Sequence, residues 1–357
     1  GEGYLVFKRE NKQSSFRFES LAKSDKWLIG LQMPIGGEKI IEGVNSLAQS
    51  VVCLNGEQLV AGATDGKEIV WGGMTQDALD AAYDQAAYAA NMQQIFARWE
   101  ANSDHIRARL GQPERHAYGP GSNEGLDVYK SRQPGAPIHL FVHGGAWRGR
   151  KASDSAIAAE TFVISGACFV VIDFDWVQDR DGDLMPIAEQ IRRAIAWTWR
   201  NAMKIGGDPN RLFVSGHSSG AHMVSVALTT EWSSIHQVPP DFIKGAVLCS
   251  GIYDLTPVSL SARSSYVTFT AESIDALSPM RRLDQITCPL IVAHGSLDTP
   301  EFQRQSRDFA AALLRQGHSC RTLLGAHYNH FELIETMANP LGLIGRAALA
   351  QMGLGAP

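Results

Sequence analysis

Short apolar runs alternate with amphipathic stretches over most of this chain. From about Thr75 onward the runs of strand length are Pro137 to Val142, Cys168 to Phe174, Leu212 to Ser215, Lys244 to Ser250, Leu290 to His294 and Arg321 to Leu324. Between and after them lie segments with helical spacing: Ser153 to Ser165, Pro186 to Ile205, Gly220 to Trp232, Pro300 to Arg315 and Phe331 to Met337. Pro186 opens its segment and Gly206-Gly207 closes it, as helix ends require. Strands that are apolar throughout are buried on both faces. The pattern therefore predicts an α/β fold, a mostly parallel central sheet with helices on both faces. Asp77 to Ala101 predicts one long helix leading into it.

The first seventy-odd residues follow a different grammar. Ser50 to Leu54 and Gln58 to Ala61 flank Asn55-Gly56, a strong two-residue hairpin signal. Gln58 to Ala63 and Lys67 to Trp71 flank a second one, Asp65-Gly66. Tyr4 to Phe7, Ser15 to Phe18 and Lys26 to Gln32 also read as strands. With Gly72-Gly73 as the junction, the chain divides into a β-rich appendage, 1–72, and a catalytic domain, 73–357. No catalytic motif falls in the appendage. A meander has unpaired edges that favour association, so a homo-oligomer is one expectation.

Chemistry enters at Gly216-His217-Ser218-Ser219-Gly220, which directly follows the run ending at Ser215 and directly precedes a helical segment. Strand, Gly-x-Ser-x-Gly, helix is the order of a nucleophile elbow, in which a tight turn lifts the serine hydroxyl clear of the sheet. A serine nucleophile needs a base, an acid to orient the base, and donors for the oxyanion. Asp298 follows the Leu290 strand, and His327 and His330 follow the Arg321 strand. The order Ser, Asp, His is that of the α/β-hydrolase fold. His330 is preferred as the base because it sits where the loop meets a helix start. Asp254, one strand earlier, competes with Asp298 for the acid and reads instead as a turn cap. His143-Gly144-Gly145-Ala146-Trp147 ends another strand, so Gly144 and Gly145, with the N–H of Ser219, are the expected oxyanion donors.

Composition narrows the alternatives. The 357 residues carry 32 basic and 37 acidic side chains without a basic run, which argues against a nucleic-acid partner. Apolar runs are too short to span a bilayer, so no membrane partner is expected. No H-E-x-x-H or Cys/His ligand cluster is present, so neither metal nor cofactor is expected, only a small-molecule substrate. Five cysteines without C-x-x-C spacing, at least three of them beside predicted strands, read as thiols of a cytoplasmic protein. The chain begins at Gly1 without Met, which leaves a removed leader open.

Taken together, His143-Gly144-Gly145-Ala146-Trp147, Gly216 to His222, Ser250-Gly251-Ile252-Tyr253-Asp254-Leu255, Asp298 to Phe302 with Arg304-Gln305-Ser306, and Asn329-His330-Phe331 resemble the kynurenine formamidase (arylformamidase) branch of the α/β-hydrolase esterase/lipase superfamily. The resemblance covers about residues 75 to 340. It implies Ser218 as nucleophile, Asp298 as acid and His330 as base, and it suggests that Trp147 lies near the acyl pocket as a substrate-binding residue. An indole packed under the loop is the competing place for Trp147. The implied activity is hydrolysis of a formyl-type amide of an aromatic amine, N-formylkynurenine-like, with a carboxylesterase acting on small aryl or alkyl esters as the alternative. A catalytically dead binding module would lack a triad member, and none is missing. Three departures stand out: Ser219 where that family usually has Ala, Asn329 where Asp commonly precedes the histidine, and the β-rich unit ahead of residue 73.

Overall fold

The computed structural model describes residues 68–355 in full; of residues 1–67 it describes only the backbone of six strands. These form three antiparallel hairpins: β1 (Glu2–Arg9) with β2 (Lys12–Glu19), β3 (Lys26–Met33) with β4 (Gly37–Val44), and β5 (Ser50–Leu54) with β6 (Glu57–Ala61). Leu54 pairs with Glu57 in the last of these hairpins, and the Asn55-Gly56 turn that the sequence predicts lies outside the described residues. The Asp65-Gly66 turn lies outside the described residues. The strand after it, β7 (Ile69–Trp71), pairs forward with β8 (Met74–Thr75). Gly72 and Gly73 between them have φ of 50° and 81°, so they form a tight turn of the kind only glycine adopts freely. By compactness the chain divides into two units, Gly1–Leu79 and Asp80–Pro357.

The second unit holds an eight-stranded sheet in the order β16-β15-β14-β13-β11-β12-β10-β9. Its strands are β9 (Glu114–Ala117), β10 (Gly125–Tyr129), β11 (Ala136–Val142), β12 (Cys168–Ile172), β13 (Gly207–His217), β14 (Ile243–Cys249), β15 (Leu290–Gly295) and β16 (Cys320–Gly325). β11 to β16 run parallel; β9 and β10 add an antiparallel margin. Each residue of β11 and β12 is buried, as strands covered on both faces must be. On one face Phe141, Phe169, Phe213, Val247 and Ile291 pack with Ile95, Phe162, Leu333 and Ile344 from helices in a single cluster. Leu140, Val170, Val214, Leu248 and Val292 alternate with them, so they point to the other face, and they too are buried.

The expected single helix from Asp77 to Ala101 is broken into three: Gln76–Ala82, Gln85–Tyr88 and Met92–Leu110. Asp84 restarts the second by accepting a hydrogen bond from the Ala86 amide at 3.0 Å, and Asn91 precedes the third. An Asp that bonds a nearby backbone amide favours a cap over a helix interior, whereas the Asn91 side chain makes no cap bond to its own helix.

Candidate active site

Four strand ends on one edge of the sheet carry the residues singled out by the sequence. β13 ends at His217 and delivers Ser218; β11 ends at Val142 and delivers His143 to Trp147; β15 and β16 lead to Asp298 and His330. The carboxyl edge of parallel strands is where such sheets build sites.

Ser218 has φ 56° and ψ −123°, a region L-residues seldom occupy, and the ten-residue helix Ser219–Leu228 starts directly after it. Glycines make the turn possible. A Cβ on Gly216 would lie 2.5 Å from the carbonyl of Gly220, and one on Gly220 would lie 2.2 Å from the Val142 oxygen and 2.4 Å from that of His143. All of these neighbours are backbone atoms that cannot move aside cheaply. Gly220→Ala is therefore expected to lower stability by about 3 kcal/mol or more, readable as a drop in thermal midpoint.

Asp298 and His330 meet across the strand ends. Nδ1 of His330 lies 2.9 Å from Oδ1 of Asp298, both side chains being almost fully buried. Burial alone would raise the Asp298 carboxyl. The His330 ring, through charge and hydrogen bond, and the neighbouring Ser250 hydroxyl outweigh it and hold the group below the usual carboxylate range. The other ring nitrogen of His330 has no partner among the described residues, and the residue lines the same cavity as Ser218. A capping box fixes the register of His330. Asn329 accepts from the amides of Phe331 and Glu332, each at 3.0 Å, while Glu332 accepts from the Asn329 amide at 3.1 Å. Asn91, at the head of the Met92–Leu110 helix, donates to Glu332 at 2.7 Å and accepts from the Asn329 amide group at 2.8 Å. The Asn that departs from the family pattern is thus the helix cap beside the histidine.

The competing residues lie elsewhere. His327 is exposed, has φ 64° and does not line the cavity. Asp254 accepts from the amide and the hydroxyl of Thr256, at 2.9 and 2.8 Å, which is a turn cap.

Gly144 and Gly145 line the cavity beside Ser218. The L-side of Gly144 is filled: a Cβ there would sit 3.1 Å from that of Ser218. Gly145 has φ 118°, and a Cβ on it would lie 2.2 Å from the Gly149 oxygen. Ala146 and Trp147 follow at φ 54° and 61°. This unusual backbone is held from beneath: the Ser219 hydroxyl accepts from the Trp147 amide at 3.2 Å. The Trp147 indole is buried and is not part of the cavity wall. Its Nε1 donates to Nδ1 of His222 at 3.2 Å, and Nε2 of His222 donates in turn to the Leu277 carbonyl at 2.8 Å. Of the two places the sequence leaves for Trp147, the structure puts it under the loop.

The cavity encloses about 360 Å³. Its apolar wall includes Met92, Phe96 and Trp99 from one helix together with Phe141 and Phe331, the Phe331 ring meeting that of Phe96 edge-on at 5.0 Å, and the Arg150 guanidinium lies 3.6 Å above the Phe96 ring. The 92, 96, 99 spacing is a helical stripe and could have marked this wall in the sequence. His217 also lines it, and its Nε2 lies 2.9 Å from the His330 carbonyl oxygen. Nothing in the sequence distinguishes His217 from a motif spacer. Among the described residues no group of three or more His, Cys, Asp or Glu is placed to share a metal ion, and no helix is long and apolar enough to cross a membrane.

Buried imidazoles couple this region to pH, His143 among them. Burial pushes His139 and His217 down to about 3 and His222 down to about 4. Unfolded, each would take up a proton near pH 6.5. Between those values the unfolded chain binds more protons, so stability falls as pH falls. The three together predict a loss of about 5 kcal/mol between pH 6.5 and 5. Urea unfolding at several pH values measures it; a flat profile would mean that these rings are not held neutral.

Comparison with known proteins places this geometry. The BD-FAE family model matches residues 126–313. Kynurenine formamidase of Danio rerio is 30% identical over 300 residues, covering 79% of this chain and 98% of that protein. Kynurenine formamidase of Salmo salar is 32% identical over 244 residues, covering 66% and 80%. Among solved structures, esterase LipW from Mycobacterium marinum superposes with a TM-score of 0.59 at 17% identity, over 76% of this chain and 91% of that one, which speaks to the fold alone. An α/β-hydrolase sheet with these motifs in this order, matched along nearly the whole length of such a relative, makes this chain a member of the kynurenine formamidase family.

Proposed function

We propose that this protein hydrolyses a formyl-type amide of an aromatic amine, N-formylkynurenine-like, through an acyl-enzyme on Ser218. The observation that carries the reading is the buried Asp298–His330 hydrogen bond, 2.9 Å long, beside a cavity that Ser218 also lines. Ser218 Oγ attacks the formyl carbon while His330 takes its proton. Asp298 keeps the ring in the tautomer with Nδ1–H and steadies the positive charge that forms. The amide groups of Gly144, Gly145 and Ser219 receive the oxyanion. His330 then protonates the leaving amine, and water repeats the sequence to release formate. The aromatic wall of Phe96, Trp99, Phe141 and Phe331 suits a flat aryl leaving group. Free thiols at Cys168, Cys249 and Cys288, all buried, fit a cytoplasmic setting. Hydrolysis of N-formylkynurenine measured beside p-nitrophenyl acetate tests the reading. A kcat/KM for the amide well below that of the ester would assign the protein to the carboxylesterases instead.

A further inference from the structure

We infer that His217 accepts the N–H of the scissile amide and thereby favours formamides over formate esters, an assignment that rests on the amide-hydrolase reading above. Nε2 of His217 lies 2.9 Å from the His330 backbone oxygen, and a carbonyl can only accept, so Nε2 carries the hydrogen. Burial keeps the ring neutral, with its pKa pushed down to about 3. A neutral imidazole protonated at Nε2 presents a lone pair at Nδ1.

That lone pair lies beside Gly144. Nδ1 has no hydrogen-bond partner among the described residues, yet it is not one of the polar atoms sealed inside the protein, and His217 lines the cavity. The position a Cβ would take on Gly144 is 3.1 Å from Nδ1 and 3.1 Å from the Ser218 Cβ. The acceptor and the nucleophile's own carbon therefore both lie against Gly144, on the loop that lines the cavity.

An amide has something for it to receive and an ester does not. When Ser218 Oγ bonds to the formyl carbon, its proton moves to His330. When the C–N bond breaks, that proton passes to the nitrogen lone pair, and the amine leaves with both its original hydrogen and the new one. The original N–H stays on nitrogen throughout and, once the aryl amide is packed against the cavity wall, needs an acceptor there. Leaving it without one slows the amide about tenfold to a hundredfold and does nothing to an ester.

Two substitutions separate this role from the support that His217 gives the His330 loop. His217→Gln keeps an N–H group near the position of Nε2 but offers no acceptor at that of Nδ1. His217→Asn places an oxygen near Nδ1 but cannot reach the His330 carbonyl. The readout is the ratio of kcat/KM for formanilide to that for phenyl formate. The ratio is expected to fall about tenfold or more in the Gln variant, whereas in the Asn variant both rates fall together and the ratio holds. An unchanged ratio in the Gln variant, or the same change in both, would overturn the assignment. Should neither variant fold, the unaltered enzyme supplies the test. N-methylformanilide, which lacks the N–H, should then be cleaved about tenfold or more slowly than formanilide once each is normalised to its alkaline hydrolysis; equal normalised rates reject the acceptor. If the unaltered enzyme cleaves phenyl formate but not formanilide, the amide-hydrolase reading fails and the acceptor falls with it. Normal formanilide turnover with an unmoved ratio sinks the acceptor alone.

Discussion

Ser218→Ala is expected to lower kcat by about three to six orders of magnitude, because the members of a triad act as a unit and the loss of one forfeits most of what the set supplies. Stability should hardly change. The substitution removes a single oxygen at the wall of an open cavity and keeps the Cβ that the elbow already accommodates. A serine-directed phosphonate should label Ser218 in the unaltered protein and nothing in the variant. Ser219 is the internal control, since its hydroxyl already accepts the Trp147 amide from the far side of the loop. Labelling at Ser219 would reverse the assignment.

The histidines should separate just as widely. His330→Ala is expected to cost about as much activity as the loss of Ser218, while His327→Ala should leave kcat within about threefold of its starting value, as exposed substitutions away from a site do. The contrast follows from position: His330 is buried against Asp298, whereas His327 is exposed and outside the cavity. Equal losses, or the opposite ranking, would place the base on the wrong residue. Asp298→Asn should fall between, since an amide can still hold the ring but cannot steady its charge.

The parallel core and the cluster at its edge were legible because both are local. The apolar runs that became β11 to β16 announce themselves, and each chemically marked residue follows one of them within a few positions. The antiparallel margin was not. β9 reads Glu-Arg-His-Ala and is largely exposed, so it carries no burial pattern. β10 contains Asp127, which is accommodated because Arg115, from β9, reaches it at 2.9 Å. A charged residue in a strand is intelligible only once its partner is known. The closing helix Leu343–Gln351 was hidden by Gly345, where a Cβ would lie 2.2 Å from the Asn339 oxygen; the glycine serves a close approach rather than a turn. His217 and Trp147 share a different difficulty. Their roles depend on which way a ring nitrogen points, and that is decided by the His330 carbonyl and by His222, contributed from elsewhere in the chain.

The loop from Gly144 to Trp147 has one more consequence. Its three consecutive left-handed residues are locked by Ser219 and, through the indole, by His222 and Leu277. In water, solvent dipoles must reorient as negative charge gathers on a carbonyl oxygen, and that reorientation is part of the barrier. Here the peptide dipoles take their final directions when the chain folds. With these amides as the proposed oxyanion donors, the reacting amide would meet a field already set, and little reorganisation would be left for the chemical step.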